Sequence, residues 1–346
     1  MKILVTANIV PFMPGGADYH VEGLTSALRR HGHDVVCLRF PFRFSPPAAI
    51  STLMDFCADY DLREPNGVRI DKVISLQFPG YGVLHDDHVL WLMHQHRAAY
   101  ELYDETRATP DERQLRDRIR VFDDRMIGRI PRRFANSGRV AERLRHYNGP
   151  DVEPLYHPPY NADRFFCKPA YGYIFFPSRL ETLKRQDLLI EAARMTRSPV
   201  GFLIAGAGGH QSRYQHLIET YGLGHKVRLL GPISEKEKLV YYARCHAVFF
   251  GPHEEDYGYV TLEAMLSSKP VITCTDSGGP LELVEHERTG LIVDPEPTAV
   301  AAAIDRLYQD SALAVELGRA GRRRYRELEI SWDRVVARLL GPTAGT

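Results

Sequence analysis

The segment Ala247-Val248-Phe249-Phe250-Gly251-Pro252-His253-Glu254-Glu255-Asp256-Tyr257-Gly258-Tyr259-Val260-Thr261-Leu262-Glu263 runs from an apolar stretch through an acidic Tyr-Gly turn into helix-forming residues. It reads as a strand, a tight loop and a helix N-terminus, an arrangement that presents backbone N–H groups to an anionic ligand. Glu255 falls in the loop and Glu263 in the helix. Apolar strand-like stretches recur on both sides of this segment, at residues 173–176, 200–205, 227–230, 270–274 and 291–293. Helical patterns near 187–194, 214–221, 235–245, 262–267 and 299–308 alternate with them. Continuous apolar strands separated by crossover helices predict a parallel sheet buried on both faces. The N-terminal half follows the same plan, with strands over 2–7, 34–38, 89–93 and 134–136 and helices over 19–30 and 140–147. Residues 40–47 and 52–66 read as irregular. The fold class is therefore α/β, with two Rossmann-like domains whose parallel sheets are expected to face a central cleft. The Pro-rich stretch 154–169 supplies the hinge. The expected division is 1–160, 161–328, and a C-terminal helix and tail over 329–346. Thr343–Thr346 reads as a frayed end.

Composition leaves few other classes open. The chain has 346 residues, 44% apolar and 25% charged, with 44 Lys plus Arg against 44 Asp plus Glu. That balance gives no global pull toward nucleic acid. The five cysteines form no C-x-x-C pair and are expected to be reduced and buried in a cytoplasmic protein. The opening Met1-Lys2-Ile3-Leu4-Val5-Thr6 reaches a Pro/Gly turn too soon for a signal peptide, and no apolar run approaches the ~18 residues of a membrane span.

Parallel sheets bind ligands beyond the carboxyl ends of their strands, so the loops there hold the candidate site residues. After the first strand, Gly15 and Gly16 allow close approach to a phosphate or sugar; a Gly-Gly turn alone is more often a plain strand-to-helix connection. The spacing is not G-x-G-x-x-G, which disfavours a nicotinamide dinucleotide. In Ser178-Arg179-Leu180-Glu181-Thr182-Leu183-Lys184, Arg179 and Lys184 can converge on a diphosphate; the alternative is a solvated basic helix start. Gly206 and Gly208 either admit a diphosphate or form a tight turn. His94, at the end of an apolar strand, can donate to a phosphate or sugar oxygen or act as acid or base, or it can be structural. The run Glu254-Glu255-Asp256 reads as a solvated loop or a metal site. No Asp-x-Asp lies in a suitable loop, so no obligatory metal is expected.

The Glu255 and Glu263 pair, with Arg179 and Lys184 upstream and Asp276-Ser277-Gly278-Gly279-Pro280 downstream, resembles the retaining glycosyltransferases of family 4 (glycosyl transferases group 1, GT-B fold). The resemblance is strongest over 179–295. It implies transfer of a sugar from a nucleoside diphosphate sugar, UDP- or GDP-linked, to a hydroxyl of a sugar, glycan or lipid-linked acceptor. The donor is then a substrate, with no obligatory cofactor. On the matching positions, Arg179 and Lys184 would neutralise the leaving diphosphate, Glu255 would contact the transferred sugar and Glu263 the ribose. Backbone at Tyr257, Gly258, Tyr259 and Val260 would cradle the donor, with Tyr257 as an aromatic wall, and Pro232 and Ile233 would meet the base. His94 would face the donor, and Arg97 and Tyr100 the acceptor. Asn136-Ser137 would face the cleft, with a helix cap as the alternative for Ser137. The implied chemistry is front-face attack without a protein nucleophile. The helix opened by Ser331-Trp332-Asp333 would return to the N-terminal domain, anchored by Trp332. Alternatives in the same fold are a nucleotide-sugar hydrolase or epimerase and a non-catalytic binder. Eleven arginines between Arg113 and Arg145 leave open a peripheral contact with the inner face of the cytoplasmic membrane, against a salt-bridged helix.

Overall fold

The computed structural model describes residues 1–12 and 15–341; the tail at Thr343–Thr346 lies outside them. Contacts divide the chain into unit 1, Met1–Pro158 with the segment from Ser331 onward, and unit 2, Pro159–Ile330. Each is built on a six-stranded, all-parallel sheet.

Unit 1 contains β1 (Lys2–Ile9), α1 (Gly16–Arg30), β2 (Asp34–Pro41), α2 (Pro47–Asp59), β3 (Lys72–Ser75), β4 (His88–Leu92), α3 (Pro110–Arg129), β5 (Arg132–Ala135), α4 (Gly138–Asn148) and β6 (Glu153–Pro154). The strand order is β2-β1-β3-β4-β5-β6. The stretch read as irregular over 40–47 and 52–66 is a correction: β2 runs to Pro41, and α2 occupies residues 47–59. Its buried side chains, Ile50, Met54 and Cys57, recur at the helical period, but Pro46 and Pro47 at its start gave the stretch the look of a loop. The strand β3, four residues long and buried throughout, was not foreseen.

Unit 2 contains β7 (Tyr173–Pro177), α5 (Gln186–Met195), β8 (Gly201–Ala205), α6 (Gln211–Thr220), β9 (Val227–Gly231), α7 (Glu235–Arg244), β10 (Ala247–Phe249), α8 (Tyr259–Leu266), β11 (Val271–Cys274), α9 (Pro280–Leu283), β12 (Gly290–Val293), α10 (Pro297–Gln309) and α11 (Ser311–Glu327). The order β12-β11-β10-β7-β8-β9 is that of a dinucleotide-type Rossmann sheet. Its core joins strand residues such as Ile174, Phe202 and Phe249 to Leu189, Ile304 and Leu317 from the covering helices.

The last helix, α12 (Trp332–Leu340), belongs to unit 1. Ser331 caps it by accepting from the Arg334 N–H at 3.2 Å. Its Val335, Val336 and Leu339 join Val21, Leu24 and Leu28 of α1 in one core. The Trp332 ring occupies the space over Gly23, where an added Cβ would stand 2.1 Å from Cζ2. Trp332 also meets Trp91 and His157, and His157 stacks on His20 at 4.1 Å. Burial pushes the His20 imidazole down to about 3. Elsewhere in unit 1, the buried Asp123 accepts from the Tyr81 hydroxyl at 2.6 Å and the Tyr100 hydroxyl at 2.7 Å. Burial pushes its carboxyl up to about 7, against the two tyrosine bonds that favour the charged form.

Two outcomes follow from this packing. Gly23→Ala gains helix propensity but drives a methyl into a rigid indole, so chemical denaturation should show a net loss of about 1–3 kcal/mol; Gly128→Ala in α3, where a Cβ meets nothing, should gain up to ~1 kcal/mol. Because folding raises Asp123, its protonated form adds stability that is complete below about pH 4, declines as pH rises and is lost through about pH 7. The stability of the wild type relative to Asp123→Asn should therefore fall across that window; a difference independent of pH would contradict it.

Candidate active site

In unit 2 the chain leaves β7 toward β8 on one side, while β10 lies on the other. Connections from two neighbouring strands that run in opposite directions open a crevice at their carboxyl ends. The loops after β7 and β10 carry Lys184 and Glu255. These two side chains form an ion pair, both mostly buried, with Lys184 Nζ 5.7 Å from the centre of the Phe250 ring.

Main-chain bonds bind the loops together. The His253 N–H donates to the Leu183 carbonyl at 2.8 Å, Glu254 N–H to Asp276 O at 3.0 Å, and Glu255 N–H to Ser277 O at 3.0 Å. Gly278, at φ +70°, passes so close to Glu255 that a Cβ would stand 2.5 Å from its carbonyl oxygen. The Arg185 guanidinium donates to both carboxylate oxygens of Asp276, at 2.7 and 2.6 Å. Burial would raise the Asp276 carboxyl, but the bonds from Arg185 and His253 outweigh it and hold it below the ordinary value.

Glu263 lies one turn into α8 and is 7% exposed. Its oxygens accept from Lys238 Nζ at 3.0 Å and the Tyr242 hydroxyl at 2.7 Å, both on α7. Burial opposes the charge on Lys238, yet the charge and hydrogen bond of Glu263 raise it above its ordinary value. Gly258, at φ +87°, precedes α8, whose first turn begins at Tyr259 and Val260. Tyr257, expected as an aromatic wall, is 5% exposed and sits edge-on to Tyr259 as a packed ring.

Other expected positions differ in detail. Arg179 is exposed beyond β7. At Gly206 and Gly208 the close approach is to protein: a Cβ would stand 2.0 Å from Ser178 O and 2.4 Å from Leu180 O, respectively. These glycines let the loops after β7 and β8 pack together. Pro232 is exposed and Ile233 half-buried after β9, just before Ser234, which caps α7. A depression of about 520 Å³ lies along the outer face of α6, lined by Gly208, Gly209, Gln211 and His216, and contains none of the ionic pairs above.

In unit 1, Gly15 precedes α1 and its N–H donates to Asp18 Oδ2 at 2.9 Å; Gly16 is the first helical residue. Met13 and Pro14 of that loop lie outside the described residues. His94 stands two residues past the end of β4, half-buried, with Nδ1 donating to the Gln95 carbonyl at 2.7 Å. Its Nε2 is then the acceptor of the neutral ring. Of Arg97 and Tyr100, expected on the acceptor side, Arg97 pairs with Glu101 and Tyr100 is buried against Asp123. Ser137 caps α4 through the Val140 N–H at 3.1 Å, and the neighbouring Asn136 is buried.

The basic stretch is laced by local bonds. Arg113 and Arg116 meet Glu105, Arg118 meets Asp55, Arg139 meets Glu142, Arg143 meets Glu101 and Arg145 meets Asp151. Cysteine burial also needs correcting: Cys57, Cys245 and Cys274 are buried, but Cys37 is half-buried and Cys167 exposed. Among the described residues no helix is long and apolar enough to cross a membrane.

Arg185, His253, Asp276, Lys238 and Tyr242 were not singled out from sequence as site residues. Lys238 and Tyr242, four apart on one helix, had a readable spacing, but nothing local pointed to Glu263 as their shared partner.

Residues 167–324 match the family profile described as Glycosyl transferases group 1. The alpha-1,3/1,6-mannosyltransferase ALG2 of Homo sapiens is 35% identical over 118 residues, 34% of this chain and 28% of its own. A D-inositol 3-phosphate glycosyltransferase of Pseudarthrobacter chlorophenolicus is 28% identical over 243 residues, 64% of this chain and 57% of its own. The chain thus spans less than two thirds of the length of these curated relatives. The solved structure of Anabaena Alr3699/HepE in complex with UDP-glucose aligns at a TM-score of 0.74 and 17% identity, covering 98% of each chain, which shows a shared GT-B fold class.

Lys238→Met leaves Glu263 a buried carboxylate without its cation and should cost about 3–5 kcal/mol. Tyr242→Phe removes one bond to the same charge and should cost about 2 kcal/mol. Urea titration of both variants checks the order, and equal small losses would mean that Glu263 does not depend on Lys238.

Proposed function

We propose that this chain, a member of glycosyl transferases group 1 through residues 167–324, is a retaining glycosyltransferase that moves a sugar from a UDP- or GDP-sugar to a hydroxyl acceptor. The observation that carries the reading is the Lys184–Glu255 pair at the crevice between β7 and β10, beside the start of α8. A helix N-terminus and a lysine suit a diphosphate, and a carboxylate suits sugar hydroxyls. In this reading Lys184 and Arg179 take the diphosphate, which frees Glu255 to accept from hydroxyls of the transferred sugar. Glu263, oriented by Lys238 and Tyr242, retains lone pairs for the ribose hydroxyls. Names of the relatives also support a sugar nucleotide donor: Alr3699/HepE was solved with UDP-glucose, and ALG2 is a mannosyltransferase.

The bond from the anomeric carbon to the diphosphate oxygen breaks as the bond to the acceptor oxygen forms on the same face. The acceptor proton passes to the departing phosphate oxygen, so the step needs no protein nucleophile. Catalysis then rests on positioning and on stabilising the negative charge that develops on the leaving group. His94 is assigned to unit 1's share of the work, with Nε2 available to accept from a hydroxyl. The acceptor is a sugar, glycan or lipid-linked hydroxyl. The ion pairs around the arginines between residues 113 and 145 weaken that stretch as a lipid-headgroup surface.

The test is nucleoside diphosphate release from a panel of UDP-, GDP- and ADP-sugars. One donor should be turned over, with Lys184→Ala and Glu255→Ala each slowing release by ~100-fold or more. Failure of every donor to bind would overturn the reading.

A further inference from the structure

Arg185 directly follows Lys184 and stands in the left-handed region, at φ 57° and ψ 47°. Residues with a Cβ disfavour that conformation, so something must hold it. There it closes the short turn over Thr182–Lys184, its N–H donating to the Thr182 carbonyl at 3.2 Å, and it opens α5. The reversal sends the main chain on into α5 while the Lys184 side chain meets Glu255.

The holding group is Asp276, beyond β11, gripped by both ends of the Arg185 fork. His253, on the loop after β10, donates from Nδ1 to Asp276 Oδ2 at 3.1 Å, beside the same guanidinium. The cluster of Arg185, Asp276 and His253 therefore ties together the loops that follow three neighbouring strands. It does so one residue from Lys184 and two from Glu255. The pair keeps 22% and 31% of its side-chain area exposed, so its net contribution to global stability is modest. A bidentate fork instead restricts geometry, which is what two groups on separate loops require if they are to serve one ligand.

We propose that Arg185 and Asp276, with His253, form a positioning clamp that sets Lys184 against Glu255 for the donor. The proposal rests on the reading that Lys184 and Glu255 serve the donor. Arg185 and Asp276 act through those residues, with no contact to the reacting atoms required.

The experiment uses the full chain and two variants. Asp276→Asn weakens the fork, and Arg185→Gly removes it while suiting the left-handed backbone. Lys184 reactivity toward acetic anhydride, read by peptide mass spectrometry, reports its pairing independently of turnover; Glu255→Gln supplies the value for an uncoupled lysine. Nucleoside diphosphate release and thermal midpoints are measured on the same samples. Both variants should label Lys184 at least about fivefold faster than wild type, and lose about ten- to a hundredfold in kcat with a smaller change in donor KM. Their thermal midpoints should stay close to wild type. Labelling within about twofold of wild type in both variants would overturn the clamp, as would faster labelling with unchanged kcat. If the wild type releases no nucleoside diphosphate from any donor, the transferase reading fails, and the labelling alone then decides whether Arg185 and Asp276 hold Lys184.

Discussion

The constraint on which the rest of unit 2 depends is the parallel sheet's need for crossovers. A parallel strand cannot turn back on its neighbour, so each connection must travel along a face of the sheet before the next strand begins. With β7 and β10 adjacent in the middle, the chain runs outward from each in opposite directions, while the His253–Leu183 main-chain bond and the Lys184–Glu255 pair link the two loops at their carboxyl ends. Such a reversal of strand order is where parallel sheets place a ligand crevice. Lys184, Glu255 and the start of α8 border it because strand order leaves them there.

Charged groups around that space are matched across different segments. Lys184 meets Glu255 from the loops after β7 and β10, Lys238 meets Glu263 from α7 to α8, and Arg185 meets Asp276 from β7 to β11. The three pairs differ in burial, and that difference separates their roles. Glu263 is enclosed, so its partners decide whether a charge there is tolerable at all. Arg185 and Asp276 are the most exposed of the three, at 22% and 31% of their side chains, and there geometry matters more than net energy. Lys184 and Glu255, at 16% and 20% side-chain exposure, lie between these two cases.

Unit 1 shows how much of a fold can rest on a segment distant in sequence. Trp332 lies above Gly23, against Trp91 and His157. The missing side chain at Gly23 is what allows the indole to approach α1. Two stacked imidazoles beneath it are kept neutral by burial, so they behave as aromatic packing and not as titrating groups.

The alternation of apolar strands and helices was legible in sequence because its cause is local: periodicity and β-branched or aromatic content specify which residues can lie in a buried parallel strand. The Glu255 to Glu263 spacing and the Arg179 and Lys184 loop were legible for the same reason, being short motifs on one strand-loop-helix passage. The helix α2 was not, since two prolines at its N-cap and first turn mimic a loop while the burial that reveals its period comes from tertiary packing. Nor were the partners of Glu263 and Lys184, because Lys238 is 25 residues from the one and Glu255 is 71 from the other. Gly206 and Gly208 could be read as making room, but not for what; the fold fills that room with the backbone of residues 178–180. Sequence by itself thus determined most of the elements, their parallel arrangement and the chemical types at the strand ends. Which charges meet, which are buried and which remain accessible was decided only by the tertiary structure, because Coulomb energy and desolvation depend on distances and enclosure that chain position does not encode.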